Sequence, residues 1–250
     1  MEFAFKTDVG KIRSHNEDNV GVYQKNGMIF ALVADGMGGH QAGDVASLMT
    51  KNILEEEWEK VENFSTPSEA EVWIKEAIEK VNEKLYRYAG ENIECKGMGT
   101  TIVAAICTPQ YVTIAHIGDS RCYLFNKSGY MKKTEDHSLV NELVRKGQIT
   151  QDEAQNHPRK NVLLRALGTE ETIKVDVNTI EWEAGDYLLL CSDGLSNKVS
   201  DEKMNEIIQK EMTLSEKVDV FIELANELGG EDNITVALVY HSPDKVGNKR

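Results

Sequence analysis

The feature that most constrains the fold is a set of short apolar runs that stop at an aspartate beside a glycine. The three clearest examples are residues 28–34 before Asp35-Gly36, residues 112–117 before Gly118-Asp119, and residues 188–191 before Ser192-Asp193-Gly194. Apolar runs of four to eight residues that end at turn residues are typical of buried β-strands. The pattern therefore predicts a sheet-based core with carboxylates at the ends of its strands.

Longer stretches with a helical period lie between these runs. Residues 43–60 and a stretch that begins near Pro67 predict two long helices, and two more are expected at residues 201–210 and 214–228. β-branched and aromatic runs predict strands at residues 28–34, 101–107, 111–117, 121–125, 173–180, 186–191 and 233–240. Strands joined by short turns, with long helices set apart from them, indicate the α+β class.

The chain shows no repeat, low-complexity tract or linker. Its 250 residues predict one domain over residues 1–241, followed by a polar tail at 242–250. The amino terminus lacks a signal pattern and no apolar run approaches the length of a membrane span, so we expect a cytoplasmic protein without membrane insertion. The four cysteines have no paired spacing, which argues against a disulfide framework and against a zinc site.

The acidic composition limits the partners. Lys and Arg number 28 against 42 Asp and Glu, which gives a net charge of −14. Such a surface repels phosphate backbones and anionic lipid, which argues against nucleic-acid and membrane binding. An anionic substrate would need positive charge supplied locally, by an arginine or a metal.

Carboxylates beside glycines recur at predicted strand ends, at Asp35, Asp119 and Asp193. Asp232, which follows Gly229-Gly230-Glu231, and Glu17 and Asp18 are added to them. Any one Asp-Gly pair is most often only a turn. Several that converge would repel one another unless cations lay between them, and all-oxygen ligation suits Mg²⁺ or Mn²⁺. The glycine-rich run after Asp35 fails the dinucleotide fingerprint, because Gln41 stands where the third glycine should be. The histidines show no metal-ligand spacing.

Six motifs together resemble the metal-dependent Ser/Thr phosphatases of the protein phosphatase 2C family, in its bacterial stand-alone branch. In chain order they are Arg13-Ser-His-Asn-Glu-Asp18, Asp35-Gly-Met-Gly-Gly39, Gly99-Thr-Thr101, Gly118-Asp-Ser-Arg121, Ser192-Asp-Gly194 and Asp232-Asn-Ile-Thr235. The resemblance covers residues 3–240 and implies a four-layer α-β-β-α sandwich, in which helix pairs flank two stacked antiparallel sheets.

The resemblance also implies the site. Asp35 would bridge two Mn²⁺ or Mg²⁺ ions, with the Gly36 carbonyl on one ion and Asp193 and Asp232 on the other. Glu17 and Asp18 would act mostly through metal-bound waters, and Asp119 with Asp193 would bind a weaker third ion. Arg13 would hold the substrate phosphate, for which its planar fork is suited. Where eukaryotic members carry a histidine acid this chain has Met37, so the leaving-group proton would come from His40 or from a metal-bound water.

The implied activity is attack of a metal-activated water on the phosphorus of phosphoserine or phosphothreonine in proteins, without a covalent enzyme intermediate. Phosphoproteins are the implied substrates, a transmembrane Ser/Thr kinase the implied opposing partner, and a monomer the implied state. Residues 136–167 correspond to the flap of the bacterial enzymes. Their basic residues suit contact with acidic phosphoprotein segments and equally suit a solvated insertion.

Two other interpretations stay open at this point. A catalytically inactive relative could bind phosphoproteins as a regulator, although Arg13 and the core aspartates are all present. A carboxylate cluster could instead bind Ca²⁺ for stability alone, which would leave no use for Arg13. Turnover of an aryl phosphate with Mn²⁺, with Ca²⁺ and with chelator distinguishes the three.

Overall fold

Two antiparallel sheets form the middle of the structure, a computed structural model that describes residues 1–39 and 42–243. The strands are β1 (Glu2–Asp8), β2 (Asp18–Lys25), β3 (Met28–Met37), β4 (Gly99–Thr100), β5 (Ile102–Cys107), β6 (Tyr111–Ile117), β7 (Arg121–Asn126), β8 (Gly129–Lys132), β9 (Asp176–Glu181), β10 (Tyr187–Cys191) and β11 (Ile234–Tyr240). Sheet I has the order β2-β3-β5-β6-β9, with β4 added to β3. Sheet II has the order β1-β11-β10-β7-β8.

The helices are α1 (Ala42–Trp58), α2 (Pro67–Glu91), α3 (Leu139–Arg145), α4 (Gln151–Gln155), α5 (Asp193–Ser196), α6 (Asp201–Ile208) and α7 (Leu214–Glu227). Thr66 caps α2 ahead of Pro67, and Thr213 with Glu216 forms a capping box on α7. These residues satisfy backbone N–H groups that the first turn of a helix leaves without partners. Local sequence signals therefore determine where α2 and α7 begin.

Strand β3 shows why the molecule has four layers. Successive side chains of a strand point to opposite faces. Ile29 and Val33 face sheet II in the core between the sheets, whereas Phe30 and Leu32 face α1 and α2. The ring of Phe30 lies 5.1 Å from that of Trp58 on α1, measured between centroids.

Sheet II is covered on its outer face by a second helix pair. Met204 of α6 and Phe221 of α7 pack against Leu189 and Leu238 of β10 and β11. The layers are thus helices, sheet I, sheet II and helices, and the predicted α-β-β-α sandwich of the α+β class is confirmed.

Four strands were not expected from the sequence: the two-residue β4, the four-residue β8, and the longer β1 and β2. β1 pairs with β11 along its whole length, from Glu2 opposite Tyr240 to Asp8 opposite Ile234. β2 pairs with β3 from Asp18 opposite Asp35. Both are edge strands with mixed exposure, so neither shows the continuous apolar run that marks β3, β5 or β10.

The flap, residues 136–167, contains the two short helices α3 and α4. Ser138 caps α3, and Thr150 with Glu153 forms the capping box of α4. Residues 244–250, most of the predicted polar tail, lie outside the described part of the chain. Of the helices within residues 1–39 and 42–243, none combines the length and apolarity that a membrane span requires.

One buried lysine joins α7 to the end of α6. The Lys217 side chain is only 1% exposed, and its Nζ donates to the carbonyls of Ile207 at 3.3 Å, Ile208 at 2.7 Å, and Lys210. The last carbonyls of a helix have no partner within the helix. Lys217 therefore supplies the hydrogen bonds that the end of α6 lacks.

Lys217→Met is expected to destabilise the fold without touching the site. The Ile207 carbonyl keeps the Lys210 N–H, but the carbonyls of Ile208 and Lys210 lose the Nζ donor, which costs about 3 kcal/mol. In a chain of this length that lowers the melting temperature by roughly 6–12 °C, which a calorimetric scan measures. Lys203→Met, on the exposed side of α6, is the matched control. Equal small shifts in both variants would show that the Lys217 contacts are not stabilising.

Candidate metal centre

The predicted metal ligands lie at one end of the two sheets. The register of β2 and β3 places Asp18 directly opposite Asp35. Ser192, which follows β10 of sheet II, donates its Oγ hydrogen to Asp18 Oδ2 at 2.7 Å. That bond ties the end of sheet II to the end of sheet I, so Asp193, the next residue, faces the same place. Asp193 also accepts from Asn197 Nδ2 at 3.0 Å.

Two threonines hold the backbone of Asp35. Thr100 Oγ1 donates to the Asp35 carbonyl at 2.8 Å, and the Asp35 N–H donates to Thr101 Oγ1 at 3.1 Å. Thr101 Oγ1 also lies 2.7 Å from Ser120 Oγ, beside Asp119. The sequence motif contained these residues, but their role as supports of Asp35 was not predicted.

Two glycines allow backbone segments to touch behind the carboxylates. A Cβ at Gly36 would lie 2.1 Å from the Gly43 carbonyl oxygen, and a Cβ at Gly194 would lie 2.0 Å from the Asn233 carbonyl oxygen. Any side chain at either position would push these segments apart. Close packing of these backbone segments therefore explains why glycine follows Asp35 and Asp193.

Asn233 organises the loop that carries Arg13. Its Oδ1 accepts from the Glu17 N–H at 2.8 Å, and its Nδ2 donates to the carbonyls of Val9 and His15, each at 3.0 Å. Arg13 in this loop donates from Nη2 to Asp232 Oδ2 at 2.9 Å, with its side chain 48% exposed. One nitrogen of the guanidinium is thus held at the site while much of the side chain stays open to solvent.

Burial and mutual repulsion raise the pKa values of these carboxyl groups. Asp35 has its pKa raised well above the usual range by burial first, and then by the charges of Asp18, Asp193, Asp119 and Asp232. Burial is also the main reason that the pKa of Asp18 and of Asp119 rises to about 7 and that of Asp193 to about 6. The five predicted aspartates are therefore close enough to repel one another.

The arrangement fits divalent cations. Within the described residues, Arg13 contacts Asp232, and Arg121, the other nearby cation, is held by Asp136 at 2.7 Å. Two arginines do not neutralise five converging carboxylates, and the donors are all oxygen, as Mg²⁺ and Mn²⁺ prefer. Glu17 is buried at the same end, with its carboxylate 3.3 Å from His15 Nε2. His40 lies outside the described residues.

A second cluster of potential ligands was not predicted. His116, His137 and Asp176 offer ligand atoms that lie within 4.8 Å of one another. Sequence spacing alone did not reveal it, because β6, the flap and β9 meet only in the folded chain. Its chemistry differs from that of the aspartate centre, since two of its three members are histidines.

Comparison with known proteins identifies this arrangement. The sequence model of the family described as "Protein phosphatase 2C" matches residues 11–229. The chain belongs to the protein phosphatase 2C family. The predicted family is thereby confirmed.

Its relatives in the family are similar over their whole length. The "Serine/threonine phosphatase stp" of Listeria monocytogenes is 51% identical over 240 residues, which are 96% of this chain and 95% of that protein. The solved S. agalactiae serine/threonine phosphatase has a TM-score of 0.91 and 42% identity, covering 96% of this chain and 98% of that one. The catalytic domain of the phosphatase PstP, solved in complex with two manganese ions, has a TM-score of 0.84 and 34% identity over 95% and 96% of the two chains.

Proposed function

We propose that this protein is a metal-dependent phosphatase that removes phosphate from phosphoserine and phosphothreonine in proteins. The observation that carries the proposal is the convergence of five aspartates from both sheets, next to a half-exposed arginine. Family membership and the phosphatase names of the relatives support the same activity. An inactive phosphoprotein-binding relative is disfavoured, because no member of the expected set is missing.

Asp35, Asp193 and Asp232 with the Gly36 carbonyl are the proposed ligands of two Mn²⁺ or Mg²⁺ ions. When bound, such ions activate a water for attack on phosphorus and neutralise phosphoryl oxygens. The solved PstP domain with two manganese ions supports the number of two. Asp18 is buried behind Asp35 and fixed by Ser192, which suits a carboxylate acting through an intervening water.

Asp119 is the proposed ligand of a weaker third ion, together with Asp193. The charge of Asp193 is, after burial, the largest cause of the raised pKa of Asp119. The two carboxylates therefore lie near each other, and the charge of Arg121 partly offsets the rise of both pKa values. The proton for the leaving serine or threonine oxygen would come from His40 or from a metal-bound water.

Arg13 is proposed to hold the substrate phosphate. Losing one charge-assisted contact costs about 1.5–3 kcal/mol, so we expect Arg13→Ala to raise KM roughly ten- to hundred-fold. Steady-state kinetics on a phosphothreonine peptide measure this. Arg13→Lys keeps the charge without the fork and should recover only part of the loss. Lys11→Ala, an exposed change in the same loop, is the control.

An unchanged KM together with weaker Mn²⁺ binding would assign Arg13 to the support of Asp232 instead. The ion pair between them makes this a real alternative, because Asp232 would lose its only arginine contact described in residues 1–39 and 42–243. Measuring Mn²⁺ affinity beside KM separates the two roles.

The setting of the enzyme is proposed from the same features. We expect a single domain over residues 1–241, since β1 and β11, from the two ends of the chain, pair in one sheet. We also expect a monomer in the cytoplasm that is opposed by a transmembrane Ser/Thr kinase. The net charge of −14 disfavours nucleic acid as a partner.

Phosphate release from a phosphothreonine peptide tests the proposal. We expect turnover with Mn²⁺ and none with chelator. An aryl phosphate should likewise be hydrolysed with Mn²⁺ and not with chelator. Turnover that is absent under Mn²⁺ and Mg²⁺, with Ca²⁺ bound tightly, would favour a structural calcium site instead.

A further inference from the structure

The two ends of the flap lie side by side at His137. The Leu164 N–H donates to the His137 carbonyl at 2.7 Å, and the Leu139 N–H donates to the Val162 carbonyl at 2.8 Å. The His137 residue is 8% exposed. His137 therefore lies where these hydrogen bonds join the two ends of the flap, a place that we call the neck of the flap.

His137 also holds Gly118, the residue before Asp119. The His137 N–H donates to the Gly118 carbonyl at 2.9 Å, and the Gly118 N–H donates to His137 Nδ1 at 3.2 Å. Gly118 has φ +104°, and a Cβ there would lie 2.6 Å from Thr101 Cγ2. A turn in this conformation depends on its hydrogen bonds, and both backbone groups of Gly118 are bound by the same residue.

The second ring nitrogen extends the connection. Because Nδ1 accepts a hydrogen bond, the neutral ring carries its hydrogen on Nε2, which donates to Asp176 Oδ2 at 3.1 Å. Asp176 Oδ1 accepts from Arg165, at the other end of the flap, at 3.1 Å. Burial lowers the pKa of His137, which favours this neutral ring.

The same tautomer argues against a metal ion at His116, His137 and Asp176, despite the short distances between their ligand atoms. A histidine that binds a metal usually donates from its other nitrogen. Here the other nitrogen accepts from Gly118, so a metal on Nε2 would cost that bond. Arg165 Nη1 also lies 3.2 Å from Nε2, where a cation would have to stand.

We propose that His137 is a positioning residue that ties the Gly118-Asp119 turn to the flap and thereby sets the metal affinity of Asp119. This inference rests on the proposed function for its metal, while its structural half stands without it. While His137 keeps its hydrogen bonds to Gly118, the flap would hold the Gly118-Asp119 turn in place. Without the ring's bond, the turn would become more mobile.

Two substitutions separate the nitrogens of the ring. In His137→Asn the amide oxygen can take the place of Nδ1 and still accept from Gly118. In His137→Gln the amide nitrogen can take the place of Nε2 and bind Asp176, but the acceptor for Gly118 is lost. Amide hydrogen exchange of Gly118 without metal, and the Mn²⁺ concentration for half-maximal turnover, are measured on both.

We expect His137→Gln to speed exchange of the Gly118 amide at least tenfold and to raise the half-maximal Mn²⁺ concentration roughly tenfold, as losses behind a metal ligand do. His137→Asn should stay within about twofold of the unchanged protein in both. His137→Ala, which also loses the acceptor for the Gly118 N–H, should shift both readouts in the direction of His137→Gln and gives a test should that variant not fold. The proposal would be overturned if His137→Gln kept the wild-type exchange rate of the Gly118 amide and the wild-type half-maximal Mn²⁺ concentration. It would also be overturned if the Gln and Asn variants shifted both readouts equally. Absence of turnover in the unchanged protein would refute the phosphatase activity, and the exchange data would still judge His137.

Discussion

Asp35→Asn is expected to abolish turnover while the protein stays folded. Asp35 stands at the centre of the aspartate cluster, and every other member contributes to its raised pKa. Metal ions supply several kcal/mol of transition-state stabilisation, so losing their shared ligand should cost on the order of 10³ in turnover or more. Phosphate release and circular dichroism measure the two halves of this expectation.

The same substitution should raise the stability of the protein in chelator. Asparagine cannot ionise, so it avoids the free-energy cost of a carboxyl group whose ionisation burial and four neighbouring carboxylates oppose. Asp152→Asn, an exposed change on α4, is the matched control and should alter neither turnover nor stability. Substantial activity in Asp35→Asn would remove Asp35 from the centre of the site.

In the metal-free protein, the free energy of unfolding is expected to fall as pH rises. The folded-state pKa values of Asp18 and Asp119, about 7, and of Asp193, about 6, lie above the value of about 3.9 for an unfolded aspartate. The folded protein therefore binds these protons more tightly than the unfolded chain. Their stabilising contribution is complete below about pH 4 and is lost as pH rises towards 7.

Mn²⁺ should reverse the loss, because it binds the deprotonated carboxylates. At a hundred times its dissociation constant a ligand adds about 2.7 kcal/mol per site. Two sites should then raise the melting temperature at pH 8 by on the order of 10 °C over chelator. This difference in melting temperature between Mn²⁺ and chelator should narrow towards pH 5, because protons compete with Mn²⁺ for the carboxylates. A gap that is equal at pH 5 and pH 8, or absent at both, would contradict the assignment.

Much of the fold was predictable because its central elements carry local signals. β3, β5 and β10 are continuous apolar runs, and the long helices have apolar stripes and side-chain caps. β1 and β2 gave no such signal, since edge strands with mixed exposure owe their state to the partner strand. Their pairing joins residues more than 200 positions apart in the case of β1, which no local pattern encodes.

The site was predictable as a set of motifs but not as a set of contacts. Asp35, Asp119 and Asp193 each stand beside a glycine, and the resemblance supplied the roles of the aspartates. The supports did not follow, because Thr101, Ser192 and Asn233 act on residues far away in sequence. The histidine at the neck of the flap was assigned no specific role, since its two ring nitrogens acquire their partners only when β6, the flap and β9 meet.

Counting bound Mn²⁺ by calorimetry tests whether the aspartate cluster holds a pair of metal ions. We expect two tight ions in the unchanged protein, loss of tight binding in Asp35→Asn, and two tight ions in Asp119→Ala, which should nevertheless lose most of its turnover. The Asp119 variant separates the proposed weak site from the core pair, because an ion held by Asp119, by Asp193 that the core pair also uses, and otherwise by waters binds weakly. Fewer than two tight ions in the unchanged protein, or two retained in Asp35→Asn, would contradict the proposed two-metal centre.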